Sequence, residues 1–484
     1  MHQSNDSGIG PSVGFPRIAW LVIILISLLI IVLHLASEST DAGQAYRSKI
    51  SHITERMDAQ VILGARALGM GSAVESSLQT FQSGSIDRRI RGVVLLGEVN
   101  GSEAAHAALL RLEVQMDEAG VAPDPEQHRV MESLGRIYGA ATGDTEMPED
   151  LRPAEQDLLV ERLGWFGELA LHSPGRDSDS VRTDPVAKAR AVMIVLFVLI
   201  ILLLGGFVVG LALLVVLVVL ACHGRLRHAL GPASPQDGLL AETFAIWMLL
   251  FLLMQYLLSL LFRGVPALQE YQLLLTGVIQ GATALVVCWP VLRGDRWSRA
   301  RRAIGLTTGP SERGSFWREI GWGLCGYLML LPLLLVGVLL VYVTQWLVTP
   351  PSTGTNFTPS ADPAHPILVY VADGSVWTIV QVYFVAAIVA PFLEEIVFRG
   401  VLYRQLRTAT GRWGIVSSTV CSLLLVSLVF AAIHPQGLVA VPALATIAVG
   451  LGLMREWRGS LLAPMVMHGC TNAVLITMMV VVTR

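Results

Sequence analysis

Charge is scarce in this chain. Only 15% of its 484 residues are charged, against 53% hydrophobic, and mean hydropathy is +0.61. Soluble globular proteins carry about 25% charged residues. The composition therefore describes an integral membrane protein with a soluble part. The formal net charge is -3, so no basic surplus exists to meet nucleic acid, and none is expected as a partner. Cysteine is equally sparse. Cys222, Cys288, Cys325, Cys421 and Cys470 all lie in or at the ends of apolar runs, and no CxxC or CxxxC occurs. That excludes a zinc knuckle and a disulfide framework. Strand-like alternation is also rare, which leaves an all-α chain.

What is abundant is long apolar sequence. About 20 such residues cross the hydrocarbon as a helix. Candidate spans are Ile18–Ala36, Ala191–Cys222, Leu240–Phe262, Tyr271–Leu292, Ile320–Leu347, a segment from about Val376, Gly414–Ile433, Leu438–Met454 and Ser460–Val482, the eighth being short. The expected fold is a polytopic helix bundle of about nine spans, with an eight-span core. Residues 1–36 form a tail and first anchor, read as uncleaved because no small-residue cleavage site follows its apolar core. Residues 37–190 form a soluble helical domain inserted after that span, 191–374 the preceding core spans, and 375–484 a region dense in polar groups.

Orientation follows the basic residues in short loops. The stretch 293–319 holds Arg293, Arg296, Arg299, Arg301, Arg302, Arg313 and Arg318, whereas 348–374 holds no Lys or Arg. Together with Arg225, Arg227, Arg399, Arg404, Arg407, Arg412, Arg455 and Arg458, and against the single Arg263 on the other side, this pattern predicts a cytoplasmic N-terminus and a non-cytoplasmic 37–190 region. Within that region apolar residues recur at helical spacing over 86–96 and 105–112, punctuated at Asn100-Gly101 and Gly120–Pro125. A small bundle of helix pairs is expected. Its size and its lack of a catalytic cluster suggest a module for a protein partner.

The ionisable residues at membrane depth need a reason, since each costs roughly 2.5–3.5 kcal/mol at a span centre on insertion scales. Glu394 and Glu395 are adjacent. Arg399 follows Glu395 by four, so that pair shares a helix face and leaves Glu394 without a partner. The turn Gly411–Gly414 lies between two apolar segments. If it closes a hairpin, Glu394, 20 residues before Gly414, and His434, 20 after, stand at one height. His468 and Asn472, four apart, share another face. Each cluster alone also fits a bland role: an interfacial ion pair, a histidine bonded at a helix end, or polar glue between helices. Jointly they supply an acid, a second base and two hydrogen-bond donors for an oxyanion, which is the equipment for hydrolysing an amide. Ser460, the nearest serine before His468, is not in a Gly-x-Ser-x-Gly setting.

The ordered set Glu-Glu-x-x-x-Arg (Glu394, Glu395, Arg399), Phe-x-x-x-His (Phe430, His434) and His-x-x-x-Asn (His468, Asn472) resembles the CPBP family of intramembrane proteases, also called the Abi family, which includes the CAAX prenyl endopeptidases. The resemblance covers about 375–482 and not 37–190. It implies that Glu394 activates water, that His434 orients it, and that His468 and Asn472 stabilise the oxyanion. Glu395, Arg399 and Phe430 then act in structure or substrate binding. The family is described both as metallopeptidases and as metal-free glutamate enzymes. No cofactor is favoured, because no His-Glu-x-x-His occurs; zinc held by Glu394, His434 and His468 is the alternative. Expected partners are the bilayer and a membrane-embedded or lipidated protein substrate. The Ala/Arg-rich composition and the appended region suggest a bacterial plasma membrane. Two other readings stay open: a non-catalytic partner-binding or immunity-type member of the family, and a proton-coupled transporter, although no inverted repeat of broken helices is visible.

Overall fold

A computed structural model describes residues 16–37, 40–139, 151–172, 179–225, 230, 238–309, 315–348 and 366–483. The N-terminal tail, Arg227, Arg313 and most of the Lys/Arg-free stretch 348–374 lie outside the described residues, so the orientation argument built on them has no structural counterpart here. Every regular element among the described residues is helical. The chain divides into two compact units, one made chiefly of Ala45–Ile201 and the other of most of the remaining helices.

The first unit has its own core. Ser85 caps the helix Ile86–Asn100 by accepting from the Arg88 amide, and Gly101 ends it with φ 93°. The next helix, Ser102–Ala119, stops at Gly120 in the left-handed conformation. Pro125 opens the one after it, Pro125–Gly139. These are the punctuation points visible in the sequence. The inward stripe includes Val94, Leu95, Leu109, Leu134, Leu159 and Phe166, all buried. A charged pair is buried with them: Arg91 Nε donates to Glu55 Oε2 at 2.5 Å, with both side chains nearly inaccessible.

His52 lies beside that pair, with its ring 6.5 Å from that of Phe166. Burial, and then the Arg91 charge, hold its pKa below the ordinary value, against an opposing pull from Glu55. A folded-state pKa below the unfolded one means that the unfolded chain takes up a proton first as pH falls through about 6.5. The fold then loses stability on acidification. Thermal unfolding of the full chain should therefore show this unit melting earlier at pH 5 than at pH 7, with a smaller difference in His52→Gln. An equal difference in that variant would show that His52 does not set it.

Among the described residues, eight helices are long and apolar enough to cross a membrane: Pro16–Leu33, Ala187–Cys222, Leu239–Gly264, Pro266–Leu292, Phe316–Leu347, Val376–Ala409, Ile415–Ala432 and Leu462–Thr483. The eighth expected segment, Leu438–Met454, is a helix over Val441–Arg458, packed between Phe316–Val348 and Ile415–Ala432. It falls outside that set, and its last turn carries Arg455, Glu456 and Arg458. All three are buried and bonded. Arg458 Nη2 meets Glu319 Oε1 at 2.6 Å, and Glu456 receives Arg407 Nη2 at 3.1 Å and the Tyr403 hydroxyl at 2.7 Å. Arg455 Nη2 donates to the carbonyls of Ala303 and Ile304. Paired in this way, the charges can lie at depth beside other helices.

Candidate active site

Three elements deliver the polar groups: the helix Val376–Ala409, the end of Ile415–Ala432, and the helix Leu462–Thr483. The first is not a uniform α-helix. It passes through π-helical turns at Phe384–Val389 and Glu395–Leu402, on either side of the short α-helical stretch Ala390–Glu394. Such turns cluster at functional sites because they leave carbonyls out of register. Here the cause is readable. The Ala390 amide bonds to Val385, five residues back. In that register the carbonyl of Ala386 needs the amide of residue 391, which is proline and has none. Asn472 fills the gap, with Nδ2 donating to the Ala386 oxygen at 2.7 Å. Gly469, one turn earlier, lets the two helices approach: a Cβ there would lie 2.6 Å from the Ala387 oxygen.

The second π-helical turn fixes the carboxylates. Glu395 is fully buried, and its Oε1 lies 3.0 Å from Arg399 Nη1 and 2.9 Å from His468 Nδ1. Arg399 stacks its guanidinium 4.5 Å from the centre of the Phe430 ring. Phe430 works at three points. Its ring touches Arg399, its ring centre lies 4.1 Å from that of His434, and its carbonyl accepts from His434 Nδ1 at 2.5 Å. The Phe-x-x-x-His spacing is thus one helical turn that anchors the imidazole at the helix end.

Both histidines spend Nδ1 on a partner and direct Nε2 toward the same place. Glu394 Oε2 lies 3.8 Å from His468 Nε2 and 3.9 Å from His434 Nε2. These gaps exceed a hydrogen bond, but one water can bridge them. With Nδ1 protonated on each neutral ring, the three groups facing the centre are all acceptors. A single water has only two protons to give. A carboxylate and two imidazoles facing one point, each able to take or give a proton, suit acid–base work.

Glu394 and His434, equidistant from the Gly411–Gly414 turn, come together, with His468 as third member. Glu395 and Arg399 form the pair that their spacing suggested. The two expected donors differ from the simplest reading. Asn472 has committed one amide hydrogen to Ala386. His468, with Nδ1 directed at Glu395, donates through Nε2 only when its ring is protonated. The positioning role of Pro391, Ala386 and Gly469 was missed; its one visible signal was a proline three residues before Glu394 inside an apolar run.

Zinc at about 2.0–2.1 Å from tetrahedral ligands holds its donors about 3.3 Å apart. The measured 3.8 and 3.9 Å are wider. Among the described residues no group of three or more His, Cys, Asp or Glu side chains is arranged to hold a metal ion. The donor set does not fit the ion as it stands, and no step below passes through a metal.

The carboxylate and imidazole groups thus face one another inside a bundle of apolar helices. Residues 375–474 match the family model for type II CAAX prenyl endopeptidase, Rce1-like, and the matched stretch contains every motif residue from Glu394 to Asn472. The match supports the CPBP, or CAAX protease, recognition for this C-terminal region, and with it a membrane-associated substrate in general terms. No curated protein and no solved structure matches the chain.

Proposed function

We propose that the protein is an intramembrane endopeptidase that hydrolyses a peptide bond in a membrane-embedded or lipidated protein by direct attack of water. One observation carries this reading: Glu394 Oε2 faces two imidazole Nε2 atoms at 3.8 and 3.9 Å, each ring held from behind. Glu394 takes a proton from water as its oxygen bonds to the scissile carbonyl carbon, and His434 orients that water. His468, protonated and backed by Glu395, donates to the oxyanion together with the remaining N–H of Asn472. The C–N bond then breaks, and the proton held by Glu394 passes to the leaving amine. No covalent enzyme intermediate forms, and no metal is used. Glu395, Arg399 and Phe430 position the imidazoles. The proposed setting is a bacterial plasma membrane with a cytoplasmic N-terminus, and region 37–190 recruits or senses a protein partner.

The test compares membranes holding wild-type protein with membranes holding Glu394→Gln, mapping new peptide termini by mass spectrometry. Termini that appear only with wild type, at membrane or lipidated proteins, and that persist in a metal chelator are the expected result. Identical termini in both membranes would remove the peptidase reading and return the cluster to a binding or proton-relay role. Loss of the termini on chelation, with recovery on zinc addition, would overturn the metal-free step.

A further inference from the structure

The helix Trp297–Ile304 has two unlike faces. Ala300 and Ile304 are buried, whereas Arg299, Arg301 and Arg302 are exposed beside Trp297, which is 44% accessible. Arg299 has Asp295 at 3.3 Å. Among the described residues Arg301 and Arg302 have no ion-pair partner. The helix lies between the end of the span Pro266–Leu292 and the start of Phe316–Leu347, where the chain leaves the hydrocarbon. Trp317, 76% accessible, stands at the start of the latter. Exposed tryptophan next to a span end, beside guanidinium groups with no ion-pair partner among the described residues, is complementary to an anionic lipid surface.

The other end of this helix is tied to two of the three elements of the candidate site. Arg455 Nη2 donates to the Ala303 and Ile304 carbonyls at 3.1 and 2.8 Å. The Leu461 amide donates to the Gly305 carbonyl at 2.9 Å, and Ser460 Oγ to that of Thr307 at 2.5 Å. Leu461 immediately precedes the helix that carries His468. On the other side, Ile304 occupies the room left by Gly400, where a Cβ would lie 2.6 Å from Ile304 Cγ2. Gly400 follows Arg399 in the π-helical turn that begins at Glu395.

We infer that Trp297–Ile304 is a docking surface for anionic phospholipid and that its contacts at Gly400 and Leu461 pass lipid occupancy on to the glutamate- and histidine-bearing helices. The docking half stands on the surface alone; the effect on turnover rests on the hydrolase reading above. Arg301 and Arg302 supply the charge, Trp297 the interfacial anchor, and the Gly305–Leu461 hydrogen bond the link.

The experiment places the full-length protein in nanodiscs of phosphatidylcholine alone or with about one-third phosphatidylglycerol, an anionic content that gives a strong surface potential. Wild type should retain phosphatidylglycerol over phosphatidylcholine several-fold on detergent extraction, and hydrogen exchange at the Leu461 amide should slow when that lipid is present. Arg301→Gln/Arg302→Gln should lose both effects while keeping the phosphatidylcholine behaviour. Inorganic phosphate in place of the lipid should reproduce neither. Turnover of a peptide substrate should rise about threefold or more with phosphatidylglycerol in wild type and stay at the phosphatidylcholine rate in the double variant. Equal retention of the two lipids by wild type, or an unchanged Leu461 amide, overturns the inference whether or not peptide is cut. Retention and protection without any cleavage would support the docking surface and count against the hydrolase reading alone.

Discussion

Glu394→Gln is expected to lower peptide turnover by about 10²–10⁴-fold, the range that general acid–base groups contribute, with an unchanged unfolding midpoint. The side chain is 23% accessible and has no charged group within hydrogen-bond reach among the described residues; its near neighbours are the two Nε2 atoms at 3.8 and 3.9 Å. An isosteric amide therefore disturbs little packing. It does remove the only carboxylate directed at the shared water position, and with it the site where that water's proton would go. Turnover in membranes or nanodiscs, read beside a thermal melt, separates chemistry from folding. A variant that melts normally and cuts normally would show that Glu394 is not the base.

Arg399→Met should act in the opposite way and destabilise the protein by about 3–5 kcal/mol, the cost of leaving one member of a buried ion pair alone. Arg399 and Glu395 are 1% and 0% accessible, and their polar atoms meet at 3.0 Å. Without the guanidinium, Glu395 keeps His468 Nδ1 as its one partner within bonding distance among the described residues, and Phe430 loses the group stacked on its ring. Adding Glu395→Gln to the same chain should recover a good part of the lost stability, because it removes the uncompensated charge. It should not recover activity, because the carboxylate that fixes the His468 tautomer is gone. Thermal unfolding of the single and double variants in one detergent reads the coupling directly. Additive losses would mean that the two side chains are neighbours without an energetic bond.

The parts of this site that depend on spacing along one helix were legible from the residues. Four-residue intervals paired Glu395 with Arg399, placed Phe430 one turn before His434, and set His468 near Asn472. The equal distances of Glu394 and His434 from the Gly411–Gly414 turn gave the meeting of two helices, because a hairpin converts sequence distance into height. The boundaries of the soluble helices were legible for the same reason: Gly101, Gly120 and Pro125 act locally.

What the sequence hid was register between segments. Asn472 serving the Ala386 carbonyl depends on a π-helical turn whose cause, Pro391, is far from Asn472 in the chain. The helix Val441–Arg458 was expected as a span on its apolar content alone. Its charged last turn is explained only by Glu319, Arg407 and the carbonyls at Ala303 and Ile304, partners that spacing does not connect to it. Zinc was open on residue type, and the chelation experiment above decides it. The arginines at Arg301 and Arg302 were read as orientation markers, and their link to Gly400 emerged only from packing.

The central claim is that a carboxylate and two imidazoles from different helices act on one water molecule as a unit. Groups that act as a unit give non-additive losses, because once one is gone the others have nothing left to assist. The direct measurement is single-turnover cleavage by Glu394→Gln, by His434→Gln and by the double variant, each confirmed as folded. The account predicts that the double variant is no slower than the slower single variant, within about threefold. Losses that multiply would contradict it, because they would place Glu394 and His434 in separate steps or separate sites.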